Sequence, residues 1–408
     1  MTSMDDPCAT PAGLMPVTAA RERMLAAVKP LEGSESVRLD QALGRILAAD
    51  VRSPIDVPPA DNSAMDGYAL RMGDLSGDGA ELALSARIQA GVAPEPLKPG
   101  TAARIFTGAV IPAGADTVIM QEHCREDHGR VVFEKLPKPG ANIRRAGEDI
   151  GRDSRVLGAG IQLQPQHLGL LASVGLAEVA VRPRVKVQVL STGDELVAPG
   201  QPLKPGQIYN SNDTVLAGLL ERLGCELLPT LQVPDTPEAT REALDQAREQ
   251  ADLVLSSGGV SVGEADYVKP TVEAMGRLDL WKINIKPGKP VAFGDLGGVP
   301  FIGLPGNPVS VFVTYCLFAA PVIRHLQGRA ETFPTPTHLP TAFDRPAAKR
   351  EEYLRVKIIE GQLHCYPHQG SGVMSSVAWA DGLARVPADK AVASGDSVEY
   401  LAFTTLLE

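Results

Sequence analysis

Glycine and serine are concentrated in one short loop that directly follows an apolar run. The loop has the sequence SSGGVSVG at positions 256–263, after the apolar residues 253–255. Glycine lets a backbone approach a phosphate closely, and backbone N–H groups together with serine hydroxyls hold phosphate oxygens. A tight strand-to-helix turn is the alternative, and it would be favoured for a Gly-Gly pair alone. Three glycines and three serines together favour phosphate binding, and the candidate binding residues are Ser257, Gly258, Gly259, Ser261 and Gly263.

Two adjacent acidic residues follow another apolar run. Asp194 and Glu195 lie in the sequence STGDEL at 191–196, after the run 185–190. Carboxylate oxygens at the end of a strand suit a hard cation such as Mg²⁺, which also keeps several of its waters. Acidic residues at the start of a helix, favoured by the helix dipole, are the alternative, and these residues alone leave the two readings open.

Lysines recur in the sequence WKINIKPGKP at 281–290. On a strand, Lys282, Asn284 and Lys286 would face one side, so a row of ammonium groups would lie beside the Gly/Ser loop. An edge strand protected by lysine is the alternative. The adjoining Pro-Gly-Lys-Pro turn favours binding of an anion.

Three further turns are polar or rigid. In the turn 303–308, Pro305 and Pro308 fix φ and leave nearby N–H groups available for a ligand. Arg144 and its neighbour Arg145 carry guanidinium groups that fit phosphate or another oxyanion, and the turn 61–68 contains Asp66. Structural turns and buried helix caps are the alternatives.

The elements that must position these residues follow from the pattern of residues 184–330. Candidate strands 185–190, 226–233, 253–256, 280–285 and 300–302 alternate with candidate helices 213–223, 237–250, 268–275 and one that begins at Pro308. This alternation predicts an open α/β sheet, and such sheets bind ligands beyond the carboxyl ends of their strands.

The flanking regions differ from this pattern. Residues 15–50 have helical spacing, including a second helical pattern over 39–47, and residues 141–181 return to helix-like sequence around 166–172. We predict that these two segments pack together as one domain interrupted by another. Short strands are predicted at 81–90, 102–106, 117–121 and 130–133, and, after the proline-rich linker 332–336, at 352–359, 362–367 and 397–403.

Composition excludes several classes of protein. The 408 residues include 44% hydrophobic and 22% charged residues, which is typical of a soluble globular protein. A net charge of −10 argues against a dedicated nucleic-acid binder. No apolar run is expected to approach the roughly 20 residues that span a bilayer, and no secretory signal is expected. Five scattered cysteines predict reduced thiols in a cytoplasmic protein.

Six segments, in order along the chain, closely resemble the molybdenum-insertion enzymes, MoeA in bacteria and the E domain of gephyrin in animals. Each segment alone is weakly specific, but the six together are specific, and the resemblance runs over essentially the whole chain. The segments are DNSAMDGYA at 61–69, FTGA at 106–109, RRAGED at 144–149, STGDEL at 191–196, SGGVSVG at 257–263 and GLPGNP at 303–308.

The resemblance implies four domains and an elongated homodimer. The domains are an elongated helical linker domain (1–52 plus 141–183), a small β domain (53–140), an α/β molybdopterin-binding domain like that of the pterin adenylyltransferases (184–330) and a C-terminal β-barrel domain (331–408). The active cleft would lie between the α/β domain of one subunit and the β domain of the other. On matching positions, the functional set is Asp66, Thr107, Asp149, Glu195, Asp235, Asp266, Lys282, Lys286, Pro305 and Pro308, with Arg355 and Ser375 as further candidates for a molybdate pocket.

The resemblance also implies the activity. Molybdenum from molybdate would be inserted into adenylylated molybdopterin with release of AMP, the final step of molybdenum cofactor biosynthesis. Cleavage of the phosphoanhydride needs a divalent cation such as Mg²⁺, for which Asp194, Glu195 and Asp66 are the candidate ligands; which carboxylate binds the metal and which activates water is left open. Expected partners are molybdopterin adenylyltransferase and cofactor-accepting enzymes, with no nucleic acid and no membrane. The alternatives are a molybdopterin adenylyltransferase and a non-catalytic scaffold protein; a nucleotide hydrolase would share only the α/β domain.

Overall fold

A seven-stranded mixed sheet forms the centre of the chain. A computed structural model describes residues 13–259, 267–288 and 290–408. The sheet contains parallel strands that are buried on both faces, as crossover connections require. The order across it is Glu226–Leu227, Lys186–Thr192, Leu253–Ser257, Pro300–Leu304, Pro290–Asp295 and Arg277–Lys282, with Leu231–Val233 also paired to Lys186–Thr192. The last two strands run antiparallel to their neighbours. Because the other strands are parallel and alternate with helices along the chain, the coarse prediction of an open α/β sheet is confirmed.

Helices cover this sheet where the sequence predicts them. They span Ser211–Arg222, Pro237–Gln250 and Val268–Met275, and a further helix begins at Pro308. Capping residues explain two of the starts: Asn210 accepts a hydrogen bond from the backbone N–H of Asp213, and Thr236 accepts one from that of Ala239.

Two strand predictions in this region are wrong in detail. The single strand expected over 226–233 is two short strands, Glu226–Leu227 and Leu231–Val233, because Pro229 between them cannot donate a ladder hydrogen bond. The strand expected over 280–285 is also divided. Lys282 ends one strand of the central sheet, whereas Ile285–Lys286 pairs with a strand of the C-terminal sheet.

The prediction that no apolar run approaches roughly 20 residues is wrong for the helical run Pro308–Leu326. It comprises Pro308–Thr314, the π-helical turn Tyr315–Ala319 and Ala320–Leu326. Its 19 residues and mean hydropathy of 1.6 are sufficient by length and composition to cross a membrane, but 94% of it is buried inside the protein. Burial to this extent is typical of a core helix, which hydropathy alone does not distinguish from a membrane span.

The segment 53–140 contains a six-stranded sheet. The strands, in order across the sheet, are Thr117–Met120, Gly67–Leu70, Thr101–Ile105, Glu81–Ile88, Arg130–Phe133 and Cys124–Asp127. Four of them match the predicted short strands. Gly67–Leu70 and Cys124–Asp127 are additional strands; Gly67–Leu70 is second from one edge of the sheet, and Asp66 directly precedes it.

The segments before and after this sheet pack against each other but are only partly helical. They contain the helices Val17–Ala27 and Pro165–Ser173, and Ala42, Leu47 and Leu171 share one buried cluster. The helix predicted over 39–47 is wrong. A short 3₁₀ turn ends at Gln41, Gly44 has φ +75°, and Leu47 pairs with Val181, so strand-like pairing overrides helical spacing.

A second six-stranded sheet occupies the C-terminal part of the chain. Its order is Ile285–Lys286, Glu351–Ile359, Gly382–Val386, Ser397–Ala402 and Thr337–Pro340, with Gln362–Cys365 also paired to Glu351–Ile359. The three predicted strands are present. The sequence prediction omitted Thr337–Pro340, Gly382–Val386 and the helix Met374–Trp379.

The four cysteines in the described part of the chain are unpaired: Cys124, Cys225, Cys316 and Cys365. Burial raises the pKa of each thiol to about 12. A thiol with so high a pKa is a poor nucleophile at neutral pH. Cys8 lies outside the described residues.

Candidate active site

Two adjoining pockets lie at the carboxyl ends of the parallel strands, where the α/β sheet was expected to bind its ligand. They share a wall made of Gly258, Gly259, Gly306 and Asn307. The cationic pocket has a volume of about 340 Å³ and is further lined by Lys286, Pro287, Gly288, Pro290, Pro305, Ser310, Arg350, Gln369, Gly370 and Ser371. The acidic pocket has a volume of about 520 Å³ and is further lined by Thr192, Gly193, Glu195, Leu196, Ile208, Tyr209, Asn210, Ser211, Asn212, Asp235, Ser257 and Pro308.

The shared wall requires glycine for geometric reasons. Gly258 and Gly259 have φ of +91° and +71°, which residues with side chains rarely adopt. A Cβ atom on Gly259 would lie 2.5 Å from Cγ2 of Val268. The wall therefore presents bare backbone to both pockets, as the phosphate-loop prediction requires. Ser261, Gly263 and Asp266 lie outside the described residues.

The cationic pocket is built from two domains. Lys286 lies in the short strand Ile285–Lys286, which follows the central-sheet strand Arg277–Lys282 in the chain but pairs with the C-terminal sheet. Its side chain is 45% exposed. Arg350 lies just before the Glu351–Ile359 strand and donates to the carbonyl oxygen of Ile285 at 3.2 Å. Two cations and the Gln369–Ser371 turn thus face one compact space, which suits a small oxyanion.

Arg355 lies behind this pocket. Its guanidinium donates to Ser376 Oγ, to the carbonyl of Tyr353 and to the carbonyl of Gly370, at 3.1 to 3.3 Å. Burial lowers its pKa to about 10, and no carboxylate of the described residues lies within 4 Å of it. Arg355 therefore supports the Gln369–Ser371 turn and adds positive charge behind it.

Two carboxylates, Glu195 and Asp235, line the acidic pocket, and Asp194 lies close enough to affect the pKa of Asp235. Burial raises the pKa of the Asp235 carboxyl, and the negative charges of Asp194 and Glu195 raise it further, whereas the Asp194 backbone N–H lowers it. Gly193 has φ +130°, which bends the chain so that Glu195 can turn back over it. Mutual repulsion among carboxylates is relieved by a cation, so the donor chemistry of this pocket fits Mg²⁺.

The predicted metal set, Asp194, Glu195 and Asp66, is not brought together in the described part of the chain. Within residues 13–259, 267–288 and 290–408, no group of three or more His, Cys, Asp or Glu side chains is arranged to hold a metal ion. Asp66 lines neither pocket, whereas Asp235 lies beside Asp194 and Glu195. Mg²⁺ often binds through one or two carboxylates plus substrate phosphates, so a partial set is chemically sufficient.

Two asparagines line the acidic pocket and are held by hydrogen bonds to its neighbouring residues. Asn212 donates to Ser257 Oγ at 2.9 Å and to the carbonyl of Gly306 at 2.8 Å, and its Oδ1 is buried without a partner in the described part of the chain. Asn210 donates to Ser191 Oγ at 2.8 Å. An unmatched buried acceptor is costly, so it is consistent with a ligand or water at this position.

Asp66 and Thr107, both predicted as catalytic residues, lie together on the other sheet. The backbone N–H and the hydroxyl of Thr107 each donate to Asp66 Oδ1 at 2.8 Å. These two bonds lower the pKa of the Asp66 carboxyl, so it is ionised at neutral pH. Arg104 stacks on Phe106 at 5.0 Å and adds a nearby positive charge. Asp66 and Thr107 line neither of the two pockets.

Four other predicted residues lie away from the pockets. Arg144 is exposed and pairs with Asn62 between two short strands, and the exposed Asp149 donates its backbone N–H to Val57. Lys282 is exposed at the end of an edge strand, which fits the lysine-protected edge. Ser375 is exposed and bonds Tyr366, 3.2 Å away.

Sequence reasoning missed several residues that line the pockets. Arg350, Gln369 and Ser371 lie in the cationic pocket, and Asn212 and Tyr209 lie in the acidic pocket. A second Gly/Ser-rich turn at 369–372 was visible in the sequence, but it begins 113 residues after the start of the first at position 256, so only the fold brings the two together.

Comparison with known proteins gives one family over most of the chain. Residues 15–175 match the MoeA N-terminal region (domain I and II), residues 188–325 match the probable molybdopterin binding domain, and residues 338–403 match the MoeA C-terminal region (domain IV). A molybdopterin molybdenumtransferase of Haemophilus influenzae is 48% identical over 76% of this chain and 78% of its own length. The chain belongs to the MoeA family.

Further relatives extend the similarity along the chain. A molybdopterin molybdenumtransferase of a Nostoc species is 39% identical, over 91% of this chain and 89% of its own length. A molybdopterin biosynthesis MoeA protein from Pyrococcus horikoshii has a solved structure that matches with a TM-score of 0.85 at 29% identity, covering 96% of this chain and 100% of its own. As a MoeA family member, the chain is a multidomain α/β transferase of molybdenum cofactor biosynthesis, as predicted.

Proposed function

We propose that this MoeA protein inserts molybdenum from molybdate into adenylylated molybdopterin and releases AMP. The observation that carries this proposal is the pair of pockets of opposite charge that share one glycine wall. The cationic pocket offers Lys286 and Arg350 to an oxyanion, and the acidic pocket offers Glu195 and Asp235 to a cation. The bare amides between them suit the pyrophosphate of the pterin substrate.

Each half of the reaction has a matching part of the site. Molybdate is a dianion, so it requires the cations and hydroxyls of the cationic pocket. Cleavage breaks the phosphoanhydride bond, with AMP as the leaving group. Bound Mg²⁺ would neutralise charge that develops on the phosphate oxygens, with Glu195, Asp235 and Asp194 as the protein residues that would hold it. A carboxylate of this group that does not hold the cation would accept a proton from the water that attacks the phosphoanhydride. The two dithiolene sulfurs would displace one oxo ligand of molybdate, which would leave as water with the two thiol protons.

We also propose that the enzyme is a cytoplasmic homodimer of four-domain subunits, divided at the boundaries given above. In such a dimer, the β domain of one subunit would bring Asp66 and Thr107 to the acidic pocket of the other. The C-terminal sheet would be a β-barrel, because a bridge between Thr341 and Leu363 brings its first strand beside Gln362–Cys365. Molybdopterin adenylyltransferase and the cofactor-accepting enzymes remain the proposed protein partners.

Two parallel incubations distinguish molybdenum insertion from the alternative adenylyltransferase activity. Purified protein is mixed either with adenylylated molybdopterin, molybdate and Mg²⁺, or with molybdopterin, ATP and Mg²⁺ without molybdate. We expect AMP release in the first mixture and no adenylylated product in the second. Accumulation of adenylylated pterin without molybdate would establish the adenylyltransferase instead, and inactivity in both with an intact dimer would support a scaffold.

Subunit mixing tests the proposed dimer and its shared site. Asp66→Ala and Glu195→Ala should each abolish AMP release. If each site uses Asp66 of one subunit and Glu195 of the other, random mixing of the two variants makes half the dimers mixed, each with one intact site, and restores about a quarter of wild-type activity. No recovery after subunit exchange would contradict a shared site.

A further inference from the structure

A buried carboxylate connects the cationic pocket to the C-terminal sheet. Glu352 is 1% exposed, and its Oε1 lies 2.9 Å from Nζ of Lys286. The guanidinium of Arg345 donates to both carboxylate oxygens, at 2.6 and 2.9 Å. The carboxylate is therefore fixed on one side by a bidentate arginine and offers its remaining capacity to the pocket lysine.

The backbone places the two residues in register. Lys286 pairs with Glu352, and Ile285 pairs with Glu351, between parallel strands of the C-terminal sheet. Burial opposes ionisation of Glu352, but the hydrogen bonds from Arg345 and Lys286 outweigh it and lower the pKa of the carboxyl. Glu352 is thus charged at neutral pH and is held where the lysine needs a partner.

We propose that Glu352 is a positioning residue that holds the Lys286 ammonium at the wall of the cationic pocket. This inference rests on the proposed oxyanion role of that pocket. A free lysine side chain has four rotatable bonds and loses much of its rotamer freedom when it binds a ligand. Because the Arg345–Glu352 pair orders Lys286 beforehand, an arriving oxyanion meets an ammonium that is already in place.

A charge-conserving substitution distinguishes the effect of the position of the Glu352 carboxylate from the effect of its charge. Glu352→Asp keeps the negative charge but withdraws the carboxylate by one methylene, so it cannot keep its bonds to both Arg345 and Lys286. Glu399→Asp is the matched control, because Glu399 is paired with Arg385 at 2.9 Å in the same sheet and lines neither pocket. Molybdate and tungstate are titrated into the full-length variants by calorimetry.

The expected result is a selective loss of affinity. The Kd of Glu352→Asp for molybdate should rise about fivefold, as partial loss of lysine ordering implies, whereas that of Glu399→Asp should change less than twofold. In a Lys286→Met background, Glu352→Asp should have no further effect, since the residue acts through the lysine. A purely structural role would weaken binding equally in both backgrounds.

Three outcomes would overturn the inference. One is a Kd of Glu352→Asp within twofold of wild type, and another is an equal loss in the Lys286→Met background. The third is wild-type protein that binds neither oxyanion, which also refutes the proposed pocket and so differs from failure of the positioning role alone. If Glu352→Asp does not fold, Glu352→Gln replaces it, and the same dependence on Lys286 is required.

Discussion

Removing the ammonium of Lys286 should weaken oxyanion binding by one to two orders of magnitude. The Lys286→Met substitution keeps the length and apolar stem of the side chain and leaves Arg345 to neutralise Glu352. Lys286 lines the cationic pocket and its side chain is 45% exposed, so a ligand can reach it. A charge-assisted hydrogen bond contributes about 1.5–3 kcal/mol, which corresponds to a roughly 10- to 100-fold change in Kd.

The assay is calorimetric titration of molybdate into purified protein at fixed ionic strength. Lys282→Met is the matched control, because Lys282 is exposed on an edge strand and lines neither pocket. The control should bind molybdate within twofold of wild type. If Lys286→Met changed Kd less than threefold, or if Lys282→Met lost as much affinity, the assignment of the cationic pocket would be refuted.

Three other substitutions test separate parts of the account. At neutral pH without Mg²⁺, Asp235→Asn should raise the Tm by about 1 °C. The folded-state pKa of Asp235 is raised, so ionisation of this carboxyl destabilises the folded state once the pH exceeds the unfolded-state pKa. The gain in Tm should therefore vanish towards about pH 4. Gly259→Ala should cost about 2–4 kcal/mol in urea unfolding, because its Cβ meets Val268, whereas Gly297→Ala, at a similar φ of +73° with open space, should cost about 1 kcal/mol. Arg355→Met should destabilise the fold by about 1–3 kcal/mol in the same measurement, since it removes the hydrogen bonds that the buried guanidinium donates to Ser376 Oγ and to the carbonyls of Tyr353 and Gly370.

Local patterns predicted the parts of the fold that local physics determines. The helices Pro237–Gln250 and Val268–Met275 and the buried strand Leu253–Ser257 were predicted almost to the residue, because long helical spacing and an uninterrupted apolar run are strong signals. The helix expected over 39–47 failed because the partners that decide its conformation, such as Val181, are far away in sequence.

The same contrast between local sequence signals and partners that are distant in sequence applies to the site. Gly258, Gly259, Glu195 and Lys286 line the pockets, and each could be singled out because it carries a chemical signature within a few residues. Arg350 and Ser371 were missed, since a pocket made by two domains gives no local signal. The catalytic role predicted for Asp66 came from the family resemblance alone, because its carboxyl lies on a different sheet from the pockets and no local spacing connects the two.

The most direct test is a single reaction in which AMP release and molybdenum incorporation are counted together. Wild-type protein is supplied with adenylylated molybdopterin, Mg²⁺ and increasing molybdate, and AMP is quantified alongside the molybdenum bound to pterin. The account predicts that the two products rise together in a one-to-one ratio and that both fall with Lys286→Met. AMP release at full rate without molybdate, or molybdenum incorporation without AMP, would contradict it.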